Sequence, residues 1–100
     1  MNYHGVEIDR EKLAEFCRRH GVQRLSLFGS ILRSDFGPGS DVDVLVEFAP
    51  GGSPDLLELG GMQEELSAMM GRFVDLKTPG FISQRILGRV LGTAQVQYAA

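Results

Sequence analysis

Two alternating aspartates, Asp41 and Asp43, lie in an otherwise apolar run of the sequence, and Asp75 lies in a second such run at residues 73–76. Ionised side chains are costly inside apolar strands unless something pairs with them. Residues two apart in a strand share one face, with Cα atoms roughly 6.5–7 Å apart. Carboxylates at that spacing can hold one Mg²⁺ ion or bridge two, and two ions would clamp the attacking and leaving oxygens of a displacement at phosphorus. The pattern therefore predicts metal-dependent phosphoryl transfer.

Asp75 is predicted to face the same way as Asp41 and Asp43, from a neighbouring strand. It could then be a third metal ligand, or it could accept the proton of the attacking hydroxyl group. Three acids this close to one another repel, so we expect at least one raised pKa until a metal ion arrives.

A small turn before the aspartates offers groups that suit a phosphate. Gly29 lets the backbone approach a ligand closely, and Ser30 offers a hydroxyl group and a backbone N–H. A helical turn predicted over residues 31–35 would point its amino end at the same place. Arg33 could neutralise the outer phosphates with its planar guanidinium group, and the alternative is a solvated surface charge. Ser40 could add one more hydroxyl group.

Helices and strands alternate in the predicted secondary structure that must position these residues. A first helix runs from an Asp9 cap to about residue 20, and further helices are predicted over residues 53–70 and 81–91. Strands are predicted over residues 23–28, 41–48 and 72–78, whereas residues 95–100 carry no clear pattern. This order predicts an α/β (α+β) fold in which helices pack on a sheet of three strands.

The ends of these helices follow from capping residues. Gly21 suits the left-handed position that ends the first helix. Ser53 is the predicted cap of the second helix, with Pro54 at the first helical position and an acid after it. The glycine pair at 60–61 weakens that helix, so one kinked helix and two shorter helices both stay open.

The composition is that of an ordinary globular chain. One hundred residues suffice for a single domain, predicted to span residues 1–100, and 43% of them are hydrophobic and 23% charged. A formal net charge of −3 argues against binding to duplex DNA. The single cysteine excludes an internal disulfide bond, and no apolar run approaches the length of a membrane span. We therefore expect a cytoplasmic protein without membrane contact.

The motif as a whole resembles a known signature. Gly29 and Ser30, ten further residues and then Asp41-Val42-Asp43 match the Gly-Ser-x10-Asp-x-Asp pattern of the DNA-polymerase-β-like nucleotidyltransferases. The small size, the arginine at position 33 and the later run at 74–76 are similar to the minimal nucleotidyltransferase (MNT) subgroup. The resemblance extends from the first helix to about residue 98. One departure is Ser34, where relatives often have glycine.

The resemblance implies a fold, a chemistry and roles for the site residues. The fold would be the small nucleotidyltransferase fold, with helices packed on a short mixed sheet of three to four strands. Such enzymes use ATP and Mg²⁺, here two ions, to move a nucleoside monophosphate onto a hydroxyl group with release of pyrophosphate. Gly29 and Ser30 match the residues that hold the β and γ phosphates. Asp41 and Asp43 match the metal-binding pair, and Asp75 matches the third, base-like acid.

The resemblance also implies a protein partner. MNT proteins are commonly the antitoxin half of a toxin–antitoxin pair, and the other half is a HEPN protein, an all-helical RNase. Some MNT antitoxins silence this toxin by adenylylating a tyrosine. The expected assembly is a hetero-oligomer with the toxin or a homodimer.

Two other functions stay open on the sequence. The chain could be an antitoxin that blocks its toxin by contact alone, because its mild acidity would suit a basic RNase surface. It could also be a nucleotidyltransferase that acts on a hydroxyl group of a small molecule or an RNA. Arg85 and Arg89, four apart on the last predicted helix, suggest a solvated face, with contact to a partner or an RNA as the alternative.

Overall fold

A computed structural model describes residues 2–52 and 54–100 of the chain. In chain order, its helices and strands are β1 (Asn2–Tyr3), β2 (Val6–Glu7), α1 (Arg10–His20), β3 (Val22–Phe28), β4 (Val42–Phe48), α2 (Leu56–Met70), β5 (Val74–Lys77), α3 (Gln84–Thr93) and β6 (Gln95–Ala99). Two short 3₁₀ turns lie at Gly29–Leu32 and Pro79–Phe81. Within the described ranges, no helix is long and apolar enough to cross a membrane.

The main sheet has four strands in the order β5-β4-β3-β6. β3 pairs antiparallel with β4 and with β6, whereas β4 and β5 are parallel. The mixed sheet with helices is thus the predicted fold class, and its fourth strand comes from the segment at 95–100 that carried no clear pattern. The pairing of β6 with β3 explains why this tail is ordered.

A separate hairpin at the amino end was missed by the sequence analysis. β1 and β2 pair antiparallel around His4 and Gly5, whose φ angles are 52° and 86°. Two successive positive φ angles are typical of the tight turns that join hairpin strands. Strands of two residues are too short to show the alternation on which the predictions depended.

One face of the main sheet carries the hydrophobic core. The alternating side chains of Val42, Val44 and Val46 are fully buried there, together with Leu25 and Leu27 of β3. α1 and α2 cover this face with a shared set of buried residues: Leu13, Phe16, Cys17, Met62, Leu66 and Met70. Burial raises the pKa of the Cys17 thiol to about 12, which makes it an unreactive core residue. Because side chains alternate along a strand, Asp43 points to the opposite face.

The helix ends agree with the predictions for α1 and correct them for α2. Asp9 accepts hydrogen bonds from two backbone N–H groups of the first turn of α1, and Gly21 ends that helix with a φ of 69°. In α2 the capping carboxylate is Asp55, which accepts a hydrogen bond of 2.8 Å from the backbone of Glu58. Pro54 therefore precedes the helix and is not its first residue, and the predicted cap, Ser53, lies outside the described residues. α2 is one continuous helix through the glycine pair at 60–61.

Other predicted bounds also shift. The turn predicted over 31–35 is the 3₁₀ turn Gly29–Leu32, which closes with a 2.9 Å bond from the Arg33 N–H to the Ser30 carbonyl. The strand predicted over 41–48 begins one residue later than expected, and the strand predicted over 72–78 is confined to Val74–Lys77. The helix predicted over 81–91 becomes α3, which starts after Ser83 because the Ser83 hydroxyl accepts a bond from the backbone of Arg85.

Candidate active site

Asp43 and Asp75 lie side by side on the sheet face that points away from the hydrophobic core. The parallel pairing of β4 and β5 places these two residues directly in register. Val74 is fully buried in the core, so Asp75, the next residue, points the other way. Asp41 stands just before β4, where the Val42 N–H bonds to the Phe73 carbonyl at 2.9 Å. Sheet register thus brings together Asp43 and Asp75, two of the three predicted acids. The third, Asp41, directly precedes β4.

The environment of Asp43 raises the pKa of its carboxyl group. Burial is the largest cause, followed by the negative charges of Asp75 and Asp41. The positive charge of Lys77 and a hydrogen bond from the backbone N–H of Ser30 act in the opposite direction. This is the electrostatic conflict expected of clustered acids, and a bound cation would relieve it.

Gly29 folds the turn directly over Asp43. Its φ is +75°, a left-handed value that side chains disfavour. A Cβ atom built at this position would lie 3.1 Å from Cγ of Asp43 and would overlap its Oδ2 atom. Glycine is therefore required here for two reasons, backbone conformation and space.

Ser30 and Arg33 remain available to a ligand in different degrees. The Ser30 hydroxyl makes no hydrogen bond with any residue that the structure describes, although the backbone N–H of Ser30 already bonds to Asp43. Arg33 forms an ion pair with Asp35, with Nε and Oδ1 3.2 Å apart, and both side chains are largely exposed. An exposed ion pair contributes little stability, so Asp35 does not hold Arg33 firmly.

Ser40 makes hydrogen bonds within its own loop. Its hydroxyl accepts a 3.0 Å hydrogen bond from the Gly37 N–H, and its backbone N–H donates back to the Gly37 carbonyl at 3.0 Å. A hydroxyl with this partner shapes the loop that leads into Asp41. The predicted contact of Ser40 with a nucleotide stays a prediction.

Arg72 is a residue of this region that the sequence analysis missed. Its Nη2 atom donates to the carbonyls of Gly37 and Ser40 at 2.6 and 2.7 Å, and its guanidinium lies 4.7 Å from the centre of the Phe36 ring. These contacts fix the loop that ends at Asp41. No sequence pattern reveals such an arginine, because its carbonyl partners are 35 and 32 residues away.

Lys77 is a second residue that the sequence analysis missed. Its Nζ atom lies 3.4 Å from Oδ1 of Asp75, and the two residues share a face of β5. A positive charge therefore stands among the acids, where it partly offsets their repulsion. The spacing of two within the strand was a signal that could have identified it.

The acidic residues suit a divalent cation by their chemistry. In the described ranges, 2–52 and 54–100, no three acidic, histidine or cysteine side chains converge closely enough to form a ready-made metal site. Asp43 and Asp75 nevertheless supply the carboxylate oxygens that Mg²⁺ prefers, and burial and the two neighbouring acids raise the pKa of Asp43 although Lys77 acts against them. The participation of Asp41 and Asp75 as ligands stays a prediction.

Comparisons with known proteins agree with this arrangement. The nucleotidyltransferase domain family matches residues 10–96. The chain is 38% identical over 85 residues to a candidate protein adenylyltransferase of Methanocaldococcus jannaschii, covering 85% of this chain and 89% of that protein. It is 36% identical over 77 residues to the protein adenylyltransferase MntA of Thermococcus cleftensis, covering 77% and 76% of the two chains.

Solved structures show the same fold. A candidate minimal nucleotidyltransferase superposes with a TM-score of 0.71 at 33% identity, over 85% of each chain. A toxin–antitoxin structure with AMP-PNP superposes with a TM-score of 0.75 at 19% identity, over 93% of this chain and 75% of that one. By its family match, its relatives and its three helices on a mixed four-stranded sheet, the chain belongs to the nucleotidyltransferase domain family, as an enzyme with the fold of the minimal nucleotidyltransferases.

Proposed function

We propose that the chain is an ATP- and Mg²⁺-dependent protein adenylyltransferase that acts as an antitoxin, transferring AMP to a tyrosine hydroxyl of a HEPN-family RNase toxin. The observation that carries this proposal is the pairing of Asp43 with Asp75 beside a glycine–serine turn whose backbone approaches Asp43 closely. Two relatives carry protein adenylyltransferase in their names. One structural neighbour belongs to a complex in which a tri-AMPylated HEPN toxin of Shewanella oneidensis is bound to an MNT antitoxin.

The turn at Gly29 and Ser30 would hold the outer phosphates of ATP. Gly29 presents backbone without a side chain, and the Ser30 hydroxyl is not engaged by any described residue. Asp41 and Asp43 would hold Mg²⁺, which when bound offsets phosphate charge and polarises the phosphoryl oxygens. The raised pKa of Asp43 favours this assignment, because an acid surrounded by like charges gains most from a cation.

Asp75 would accept the proton of the acceptor hydroxyl. The hydroxyl oxygen forms a bond to the α-phosphorus, the bond to the bridging oxygen breaks, and pyrophosphate leaves with that electron pair. Asp75 lies beside Asp43 in the sheet register, and its Oδ1 atom is 3.4 Å from Nζ of Lys77, so a base at this position would stand next to the proposed metal ligands. Lys77 would also hold the Asp75 carboxylate in place, as a positioning residue.

The enzymatic function can be tested by asking whether a substoichiometric amount of this chain inhibits the toxin. A HEPN-family RNase is incubated in large molar excess with the chain, ATP and Mg²⁺, and its RNase activity is followed over time. We expect all of the toxin to lose activity, because one enzyme molecule modifies many toxin molecules.

An ATP analogue with a methylene bridge between the α and β phosphorus atoms is the control, since AMP cannot leave it. Inhibition that stops at equal amounts, with ATP and analogue alike, would establish an antitoxin that acts by contact. Transfer of AMP to RNA or to a small hydroxyl compound without the toxin would show that the chain is a nucleotidyltransferase with a different acceptor.

Arg72 is expected to act on the rate of transfer through the loop before Asp41. Arg72→Ala frees the carbonyls of Gly37 and Ser40, so we expect kcat to fall about 10- to 100-fold by misplacement of Asp41. Unfolding free energy should fall by about 1–3 kcal/mol, because two carbonyls lose a charged donor. Steady-state kinetics should show little change in KM for ATP, and Arg72→Lys should restore part of kcat.

Arg24→Ala is the matched control for Arg72→Ala. This change removes an arginine of β3 that bonds to Glu47 of β4 at 3.0 and 2.7 Å. The pair lies in the main sheet, away from the loop that Arg72 holds. If Arg24→Ala slows transfer as much, or if Arg72→Ala changes only KM, the positioning role of Arg72 is wrong.

A further inference from the structure

A cavity of about 490 Å³ opens between the Gly29–Leu32 turn and α3. From the turn side it is lined by Phe28, Gly29, Leu32 and Arg33, and from α3 by Arg89 and Val90. This volume falls within the range of roughly 300–1,000 Å³ that small-molecule sites occupy. Gly29 is common to the cavity and to the acidic site, because its other side lies against Asp43.

Both ionisable groups that line this cavity are arginines. Arg33 is only loosely engaged by Asp35, at the exposed surface. The Arg89 guanidinium forms no ion pair or hydrogen bond with any residue in the described part of the chain. Two guanidinium groups without an acid in the lining make the cavity positive, in a chain whose formal net charge is −3.

The apolar part of the lining includes a strand residue, Phe28, that lies next to the acidic site. Phe28 is the register partner of Asp43, so its side chain stands on the face that carries the acidic site. Leu32 and Val90 complete an apolar wall. An apolar wall beside two guanidinium groups matches a ligand that joins a flat ring system to several phosphates, which is a nucleoside triphosphate.

We propose that this cavity holds the nucleotide and that Arg89 of α3 binds its phosphates together with Arg33. This inference rests on the proposed function, because it names the side chains that hold the ATP of that reaction. It goes beyond the sequence expectation of a solvated Arg89, because the residue is exposed as expected and also lines the cavity. It also gives α3 a role, since none of the helix's residues is fully buried and the core does not account for its position.

Calorimetric titration of ATP into the protein with Mg²⁺ tests the role of Arg89. We expect Arg89→Ala to weaken ATP binding about 10- to 100-fold, the range for loss of a hydrogen bond to a charged group. Arg89→Lys should recover part of the affinity, because it keeps the charge but loses the planar fork. Adenosine, which has no phosphate, should bind Arg89→Ala and the unaltered protein with equal Kd.

Arg85→Ala is the matched control, because Arg85 lies one turn earlier on α3 and outside the cavity lining. We expect it to bind ATP normally and to unfold at the same temperature as Arg89→Ala. Equal ATP affinity in Arg89→Ala and the unaltered protein, equal losses in the two variants, or an equal loss for adenosine would overturn the inference. If the unaltered protein binds no ATP at all, the proposed function fails as well, whereas AMP transfer with no effect of Arg89→Ala removes only the role of Arg89.

Discussion

Asp43→Asn is expected to abolish AMP transfer and, in the absence of metal, to make the folded protein more stable at neutral pH. If Asp43 holds Mg²⁺ as proposed, its loss removes several kcal/mol of transition-state stabilisation, so the rate should fall on the order of 10³-fold or more. The gain in stability has a separate cause: the amide is neutral, so it is not repelled by Asp75 and Asp41 and costs less to bury.

The pH dependence of this stability difference follows from the sign of the shift. Burial and the two neighbouring acids raise the pKa of Asp43 in the folded state, so the folded state binds the proton more tightly than the unfolded chain. Asp43 therefore contributes stability that is fully present below the ordinary aspartate pKa of about 3.9 and is lost as the pH rises through the raised folded value. The Asp43→Asn protein has no carboxyl group to ionise at this position, so it does not lose this stability. Its free energy of unfolding should exceed that of the unaltered protein as the pH rises through the raised pKa of Asp43, and the difference should persist at neutral pH.

Urea unfolding with a chelator across a pH series measures this effect. Glu64→Gln, an exposed acid-to-amide change on α2, is the matched control and should leave both stability and transfer unchanged. Addition of Mg²⁺ should stabilise the unaltered protein more than Asp43→Asn, because only the former keeps the metal ligand. A chelated Asp43→Asn protein that is less stable than the unaltered one at neutral pH would contradict this account of the site.

Gly29→Ala is expected to lower the transfer activity on the order of 10²-fold by displacing the Asp43 carboxylate, which we propose to be catalytic. A methyl group at this position would overlap Oδ2 of Asp43, and the φ of +75° adds about 1–2 kcal/mol of backbone strain. The Asp43 carboxylate, the turn or both must shift, which would move the proposed phosphate-binding turn relative to the proposed metal ligand. Initial rates of AMP transfer and urea unfolding measure the two consequences.

Gly71→Ala separates strain from displacement. Gly71 ends α2 with a φ of +66°, and a Cβ atom there would meet nothing within 4 Å. Both variants should lose similar stability from backbone strain, but only Gly29→Ala should lose transfer. Equal transfer rates in the two variants would mean that the close approach of Gly29 to Asp43 has no catalytic importance.

The sequence predicted the parts of the site that depend on local spacing. Alternation in β4 and burial of Val74 suffice to place Asp43 and Asp75 on one face, once the two strands are neighbours. The turn at Gly29 was predicted because glycine and serine break an alternating strand. Similar reasoning identified α1, whose cap and terminal glycine both lie where the residue types indicate.

The missed features depend on contacts between distant parts of the chain. β6 is a strand because β3 offers it an edge; its own alternation of polar and apolar residues spans only Gln95 to Tyr98 and was not recognised as a strand. Arg72 is a single arginine whose carbonyl partners lie in a loop 35 and 32 residues away. The start of α2 was misplaced because Asp55 competes with its neighbours as a cap, and residue type alone does not decide between adjacent capping side chains.

Intact-mass spectrometry of the toxin tests the central claim most directly. A HEPN-family toxin is incubated with the chain, ATP and Mg²⁺, and its intact mass is then measured before digestion to find the modified residue. We predict a gain of one or more AMP units on a tyrosine, absent with the Asp43→Asn protein and absent when Mg²⁺ is chelated. A toxin of unchanged mass that is nevertheless bound and inhibited would contradict the claim that this chain acts by adenylylation.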